Sequence, residues 1–203
     1  MSSTIILSIS LNWKERKSKD MKSIFETKDL IIRESTEADL PTFYEWELQP
    51  AVTEFFSIPD NQSMEDVKKK FFADLADPGA EQFTITLKPD GRPIGRIVIG
   101  DIIEGWKAEL WRIYIADTGL RGKGYGCQAM CAMIRHFFDD LGLQRMYLDH
   151  YTGNPAADLY LGLGLKYEGI LRHNCRKNGI LYDVHLMSML RGEYEAIKDQ
   201  LPY

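Results

Sequence analysis

Arg121-Gly122-Lys123-Gly124-Tyr125-Gly126 is the stretch that decides how this chain is read. Before it, residues 107–116 alternate and are rich in β-formers, so a strand runs into it. After it, Met130, Met133, Ile134, Phe137, Phe138 and Leu141 recur at i, i+3, i+4, i+7, i+8 and i+11, a helical stripe that Gly142 stops. Glycines at a strand-to-helix handover permit positive φ and close backbone approach. Several N–H groups and the positive end of the helix dipole then converge on one spot, which suits a phosphate or pyrophosphate. Arg121 and Lys123 add two positive charges to it.

Outward from the loop, helix and strand patterns alternate. Residues 29–33 form a short apolar run, and Ser35-Thr36-Glu37-Ala38-Asp39 reads as a helix start, with Leu40, Phe43, Tyr44 and Leu48 following at helical spacing. Ser63-Met64-Glu65-Asp66 opens a second helix, whose stripe is Val67, Phe71, Phe72 and Leu75. Residues 82–87 and 93–103 are strands joined by Lys88-Pro89-Asp90-Gly91, a tight-turn signal. Downstream, residues 145–150 read as a strand and 155–163 as a short helix. Residues 165–171 and 180–190 read as strands paired around Asn178-Gly179. The order β α α β β β α β α β β predicts an α/β (α+β) domain with a single mixed, largely antiparallel sheet of about six to seven strands and about four flanking helices. Residues 23–203 are expected to make that domain. Residues 1–22 are expected to be an appendage, its apolar patch running into the charged segment 14–20.

Of 203 residues, 44% are hydrophobic, which supplies a core and excludes a mainly disordered chain. Lys and Arg number 25 against 30 Asp and Glu, a formal net charge of −5. That balance argues against a protein that coats nucleic acid, so any anion must be held by a local device. No apolar run is long enough to span a membrane, and the first residues lack the basic segment and cleavage site of a signal peptide. No nucleic-acid or membrane partner is expected, and a cytoplasmic location is. The three cysteines, Cys127, Cys131 and Cys175, are too few and odd in number for a disulfide framework. No His or acidic residue near Cys127 and Cys131 completes a zinc spacing, so no metal is expected. Monomer and homodimer both remain open.

A phosphate loop of the nucleotide hydrolase type needs a longer spacing ending in Gly-Lys-Ser/Thr. A dinucleotide fingerprint belongs near the first strand of a βαβ unit, whereas Gly122-x-Gly124-x-Gly126 follows several antiparallel-type strands. The hexapeptide resembles the Arg/Gln-x-x-Gly-x-Gly/Ala signature of the GNAT acyl-CoA-dependent N-acetyltransferases. Ala108-Glu109-Leu110 ahead of it extends the resemblance, as do Asn154, Ala157, Leu159, Tyr160, Gly164 and Leu165 after it, with Leu165 where Phe is usual. Glu168-Gly169, Gly179, Asp183 and Met187 are similar to the tail of the RimJ/RimL-like branch, which acetylates protein N-termini. Residues 29–39 are similar to that branch's opening. The resemblance covers residues 28–193.

It implies transfer of an acetyl group from acetyl-CoA directly to a primary amine, without a metal. It further implies that Arg121, Gly122, Lys123, Gly124, Tyr125 and Gly126 bind the coenzyme pyrophosphate. The backbone of Tyr114, Ile115 and Ala116 would pair with the pantetheine arm, which Asn154 would also contact. Tyr160 matches the family's general acid, and a phenol with an ordinary pKa near 10 can protonate a departing thiolate. Glu109 is the candidate base, with His150 as the alternative because an imidazole titrates near neutrality. His136 and His185 are expected to be structural. His173 with Arg172, Arg176 and Lys177 is expected to make a basic hairpin tip, as a solvated turn or, alternatively, a site for the adenosine 3′-phosphate or an acidic substrate. Cys127 sits where thiolates are favoured but is not expected to act as nucleophile. The branch resemblance points to a protein or peptide N-terminus as acceptor, with polyamines and aminoglycosides as alternatives. Tyr44, Glu45, Trp46, Glu47, Glu54, Phe55 and Phe56 would suit a cationic amine through charge and cation–π contact. A non-catalytic acyl-CoA-binding module is the rival, and it would not need Tyr160 and Glu109.

Overall fold

The computed structural model describes residues 25–202, so the appendage expected over residues 1–22 lies outside the described residues. The chain runs β1 (Phe25–Glu26), β2 (Leu30–Glu34), α1 (Leu40–Glu47), α2 (Pro50–Thr53), α3 (Met64–Ala76), β3 (Glu81–Leu87) and β4 (Pro93–Ile103). It continues through β5 (Lys107–Ile115), α4 (Tyr125–Arg135), β6 (Arg145–Tyr151), α5 (Ala156–Gly162), β7 (Lys166–Lys177), β8 (Ile180–Leu190) and α6 (Arg191–Ile197). Among the described residues, one sheet of eight strands has the order β1-β2-β3-β4-β5-β6-β8-β7. Every pairing is antiparallel except that of β5 with β6. The mixed, largely antiparallel α/β domain expected from the sequence is what forms. The elements beyond the expected number are β1, α2 and α6, of 2, 4 and 7 residues, too short to show a period.

Local chemistry explains the element ends. Ser63 caps α3: its Oγ accepts Asp66 N–H at 3.1 Å, and Asp66 Oδ2 accepts Ser63 N–H at 2.8 Å. The β7–β8 turn forms at Asn178 and Gly179, with φ of 50° and 83°, the left-handed pair a two-residue hairpin needs. Along α4 and just beyond it, Met130, Met133, Ile134 and Phe137 are fully buried, in one core with Phe83, Ile85 and Ile97 of the sheet. Each such side chain contributes about 2 kcal/mol of burial free energy. After Arg135 the helix widens into a π-helical turn over His136–Asp140, closed by Leu141 N–H to His136 O at 2.9 Å.

The other face of the sheet is covered by α1 and α3, where Leu40, Phe43, Val67 and Phe71 make a second buried cluster. Alternation along β5 breaks once. Ile99 pairs with Leu110 and Val98 with Arg112, so Trp111 is the extra residue of a β-bulge. Ala108 and Leu110 before the bulge, and Ile113 and Ile115 after it, pack into the α4 core. Arg112 and Tyr114 are thereby turned to α1, where both donate to Glu47. The parallel pairing of β5 and β6 runs only from Lys107↔Arg145 to Glu109↔Tyr147. Beyond Glu109 the two strands part and the sheet opens in a V.

Candidate active site

A cleft of about 830 Å³ fills this V, walled by β5, the end of β6, the start of α4, α5, and α2 with the segment after it. Ala116 N–H donates to Ile94 O at 2.8 Å, so Ala116 and, two residues back, Tyr114 turn their peptide groups to β4. Ile113 and Ile115 turn theirs to the cleft. Of the three residues expected to offer backbone, Ile115 therefore presents free peptide groups to the cleft. Ala116 is buried against β4, and the Tyr114 hydroxyl donates to Glu47 Oε1 at 3.1 Å.

The glycine loop lies at the α4 end. Gly122 and Gly124 have φ of 75° and 82°, and Gly124 is the residue from which α4 starts. The first bond of the helix runs from Gln128 N–H to Gly124 O at 3.0 Å, so the amides of Tyr125, Gly126 and Cys127 precede the ladder. A Cβ on Gly122 or Gly124 would meet no protein atom within 4 Å, so these glycines border space that the chain's own packing does not use. Unladdered amides, a helix start and an unobstructed approach fit a pyrophosphate. Arg121 lines the cleft and donates from Nη2 to Ala51 O at 2.6 Å, while Lys123 is exposed and outside the lining. Cys127 lies in the first turn of α4, beside Cys131. Asn154 lines the cleft too. Its Oδ1 accepts Ala156 N–H at 2.9 Å and starts α5, which leaves Nδ2 without a protein partner among the described residues.

Glu109 and Tyr160 both line the cleft. Glu109 stands where the strands part, half-buried, beside Tyr147 and Trp111. Burial, then the neighbouring charges of Asp149 and Asp101, push its carboxyl up to about 7. Tyr160 is 7% exposed, its phenol pushed up to about 12 by burial alone. Its hydroxyl has no hydrogen-bond partner among the described residues. His150 is outside the lining: its Nδ1 lies 3.1 Å from Tyr151 O, and its ring stacks on His185 at 5.2 Å. His136 is fully buried, as a structural histidine would be.

The acceptor side departs from the sequence reading in two places. Glu54, Phe55 and Phe56 line the cleft, but Glu47 does not. Glu47 is 4% exposed, its Oε1 accepting from Arg96 Nη1 at 2.9 Å and from Arg112 Nη1 at 2.6 Å. Tyr44 and Trp46 pack on the α1–α3 cluster instead. The second departure is the basic tip. His173 lies within β7, at a register shift, and not at the turn. Lys177 is not solvated: it donates from Nζ to Thr53 O at 2.9 Å and pairs with Asp60 Oδ1 at 3.2 Å. Asp149 and Tyr151 went unmarked in the sequence, although the strand period sets them on the Tyr147 side of β6.

A family model described as "Acetyltransferase (GNAT) domain" matches residues 29–159. The uncharacterized N-acetyltransferase p20 of Bacillus licheniformis is 27% identical over 173 residues, which are 83% of this chain and 96% of that protein. The fold is similar to that of spermidine N-acetyltransferase from Vibrio cholerae, solved in complex with CoA and spermine. The TM-score is 0.73 at 23% identity, over 82% of this chain and 98% of that one. A GCN5-related N-acetyltransferase from Brucella melitensis also gives a TM-score of 0.73, at 19% identity, over 89% of this chain and 84% of that one. The family match spans more than half of the chain and contains β5, the glycine loop, α4 and most of α5. The chain belongs to the GNAT family and is an acetyltransferase.

Proposed function

We propose that this acetyltransferase moves an acetyl group from acetyl-CoA to a primary amine in the cleft between β5 and β6, with Glu109 as base and Tyr160 as acid. The observation that carries the reading is Glu109, a half-buried carboxylate at the fork of the strands whose pKa is pushed up to about 7. A base poised there is half ionised at neutral pH and can take a proton from an ammonium or from the attacking amine. Acetyl-CoA supplies the activated acetyl thioester. The loop amides of residues 122–126 hold its pyrophosphate, and the peptide groups of Ile113 and Ile115, with Asn154, line the arm's path toward the fork. As the N–C bond forms and the C–S bond breaks, Glu109 receives the amine proton and Tyr160 gives its own to the departing thiolate. A phenol pushed up to about 12 stays protonated until that moment.

The resemblance of residues 29–39 and 168–187 to the RimJ/RimL-like branch supports a peptide or protein N-terminus as acceptor. A second reading, a polyamine, has its own support: Glu54, Glu109 and Asp149 line one cleft and favour a cation, and one structural relative acts on spermidine. The test is initial-rate kinetics on peptides with free N-termini, spermidine and an aminoglycoside, with the product identified by mass. Tyr160→Phe should lower kcat by about 100-fold while coenzyme affinity is kept. Tight coenzyme binding with no turnover on any amine would favour a non-catalytic acyl-CoA-binding module.

A further inference from the structure

Arg112 carries a charge that the fold does not consume. Its Nη1 donates to Glu47 Oε1 at 2.6 Å, and the same oxygen accepts from Arg96 Nη1 at 2.9 Å. Burial would raise the Glu47 pKa, yet the charges of Arg112 and Arg96 hold it below its ordinary value, so the carboxylate is ionised. Two guanidinium groups on one carboxylate leave one positive charge over. Arg96 cannot present it: that side chain is 1% exposed, and its Nη2 is spent on Gln82 Oε1 at 2.6 Å. Arg112 can. Its side chain is 16% exposed and lines the cleft. Its Nε and Nη2 have no protein partner among the described residues, and both keep access to solvent. Lys70, whose ammonium lies over the Trp111 ring at 5.2 Å, is already paired with Asp74 Oδ1 at 2.7 Å.

The bulge decides where this charge stands. Val98 pairs with Arg112 and Gly100 with Glu109, and Val98 and Gly100 are two residues apart on β4. Arg112 and Glu109 therefore face the same side of the sheet, one two-residue step of about 7 Å apart. A proton acceptor and an unspent cation, side by side in one cleft, fit an acceptor that carries both charges. We propose that Arg112 is a specificity-determining residue that binds a carboxylate of the acceptor, so that the preferred acceptor is a primary amine with a carboxylate close to it. The two sources of that chemistry are a peptide end with Asp or Glu among its first two residues and a free acidic amino acid. The Nε–Nη2 edge of a guanidinium is a planar pair of donors matched to the two oxygens of a carboxylate. Successive Cα atoms lie about 3.8 Å apart, so either of the first two side chains of a peptide spans the step from Glu109 to Arg112. The inference rests on the acetyltransferase reading above for the amine end only. A polyamine has no carboxylate to offer and is repelled by Arg112.

The test uses Arg112→Gln and Arg112→Lys in the full chain. Both should fold, because Glu47 keeps Arg96 as its counter-charge. The probes are pentapeptides identical except for Glu or Gln at residue 1 or residue 2, free glutamate, and spermidine. They are compared by kcat/KM and, with no turnover needed, by calorimetric titration into the CoA-bound protein. Wild type should favour a Glu peptide over its Gln twin by about tenfold or more in both measurements. Arg112→Gln should bring that ratio to near one with acetyl-CoA affinity kept. Arg112→Lys keeps the charge but not the planar edge, and should retain a ratio of about threefold. Free glutamate equal to the Glu peptide would assign the site to amino acids, and free glutamate falling behind it would assign the site to peptide ends. A wild-type ratio of one, a preference that survives Arg112→Gln, or spermidine outrunning every peptide overturns the proposal. A Glu preference seen in titration and lost in Arg112→Gln, in a protein that acetylates no amine, would instead overturn the acetyltransferase reading and leave the carboxylate site standing.

Discussion

Glu109 titrates against Asp149. The two carboxylates line one cleft from neighbouring strands, and after burial the Asp149 charge is the largest influence pushing Glu109 up to about 7. If Glu109 accepts the amine proton, only its ionised form works, so kcat/KM should rise with pH along a limb near 7. Asp149→Asn removes a repelling charge and should move that limb to lower pH. Glu109→Gln should abolish the limb and lower kcat/KM by about 100-fold to 10,000-fold. A pH–rate profile of the three proteins checks this, and an Asp149→Asn limb that stays in place would separate the two residues.

Gly124 makes the anion end testable without catalysis. Its φ of 82° disfavours any β-branched side chain, and a Cβ there would enter open space, where the proposed pyrophosphate would sit. Gly124→Val should weaken acetyl-CoA binding by at least about tenfold in calorimetry. Gly91, at φ 68° in the turn after β3 and with open space around it, carries similar backbone strain away from the cleft. Gly91→Val should therefore cost stability and leave the coenzyme affinity as it was.

Glu47 is the keystone of a buried polar network and not an acceptor ligand. Arg96 is 1% exposed, lies over the Phe43 ring at 4.4 Å, and bonds Glu47 and, through Nη2, Gln82 Oε1 at 2.6 Å. Glu47→Ala would leave that guanidinium buried without its counter-charge. Breaking one side of such a pair costs about 3–5 kcal/mol, a fall of roughly 6–20 °C in Tm. Thermal denaturation of Glu47→Ala beside Glu45→Ala, an exposed neighbour on α1, is the measurement.

The elements of this fold were legible wherever a period ran long enough to register. The α4 stripe, the Lys88–Gly91 turn, Asn178-Gly179 and the strand on either side of each could be read from residue types alone. The glycine loop was equally plain, because a strand, three glycines and a helix stripe agree on one backbone conformation. What could not be read was long-range. Glu47 read as an acid suited to a cationic amine because nothing local shows that Arg96 and Arg112, on two different strands, converge on it. Lys177 looked like a solvated cation because its partners, Thr53 and Asp60, lie over 100 residues away in sequence. The bulge at Trp111 was also hidden. It leaves no mark in composition, yet it decides that Arg112 and Tyr114 face α1.

His136, in the π-helical turn after α4, links the stability of the fold to pH. Its Nε2 lies 2.7 Å from Glu81 Oε2 and its Nδ1 2.9 Å from Asp140 Oδ2, so both nitrogens need protons and the ring is an imidazolium. Burial alone would lower its pKa, but hydrogen bonds to Asp140 and Glu81, and their charges, push it up to about 9. A raised folded-state value stabilises the protein fully below the unfolded value of about 6.5, and that stabilisation is lost as pH rises through about 9. The Tm of the wild type should therefore fall between about pH 6.5 and 9 more steeply than that of His136→Gln, whose amide has no charge to lose. Phe25 and Phe83 pack on the ring at 4.7 and 5.7 Å, so the variant also pays a packing cost, but one that does not vary with pH. The difference between the two melting curves, plotted against pH, isolates the charge. A flat difference would mean that the ring is held neutral, with one of its two carboxylates protonated in its stead.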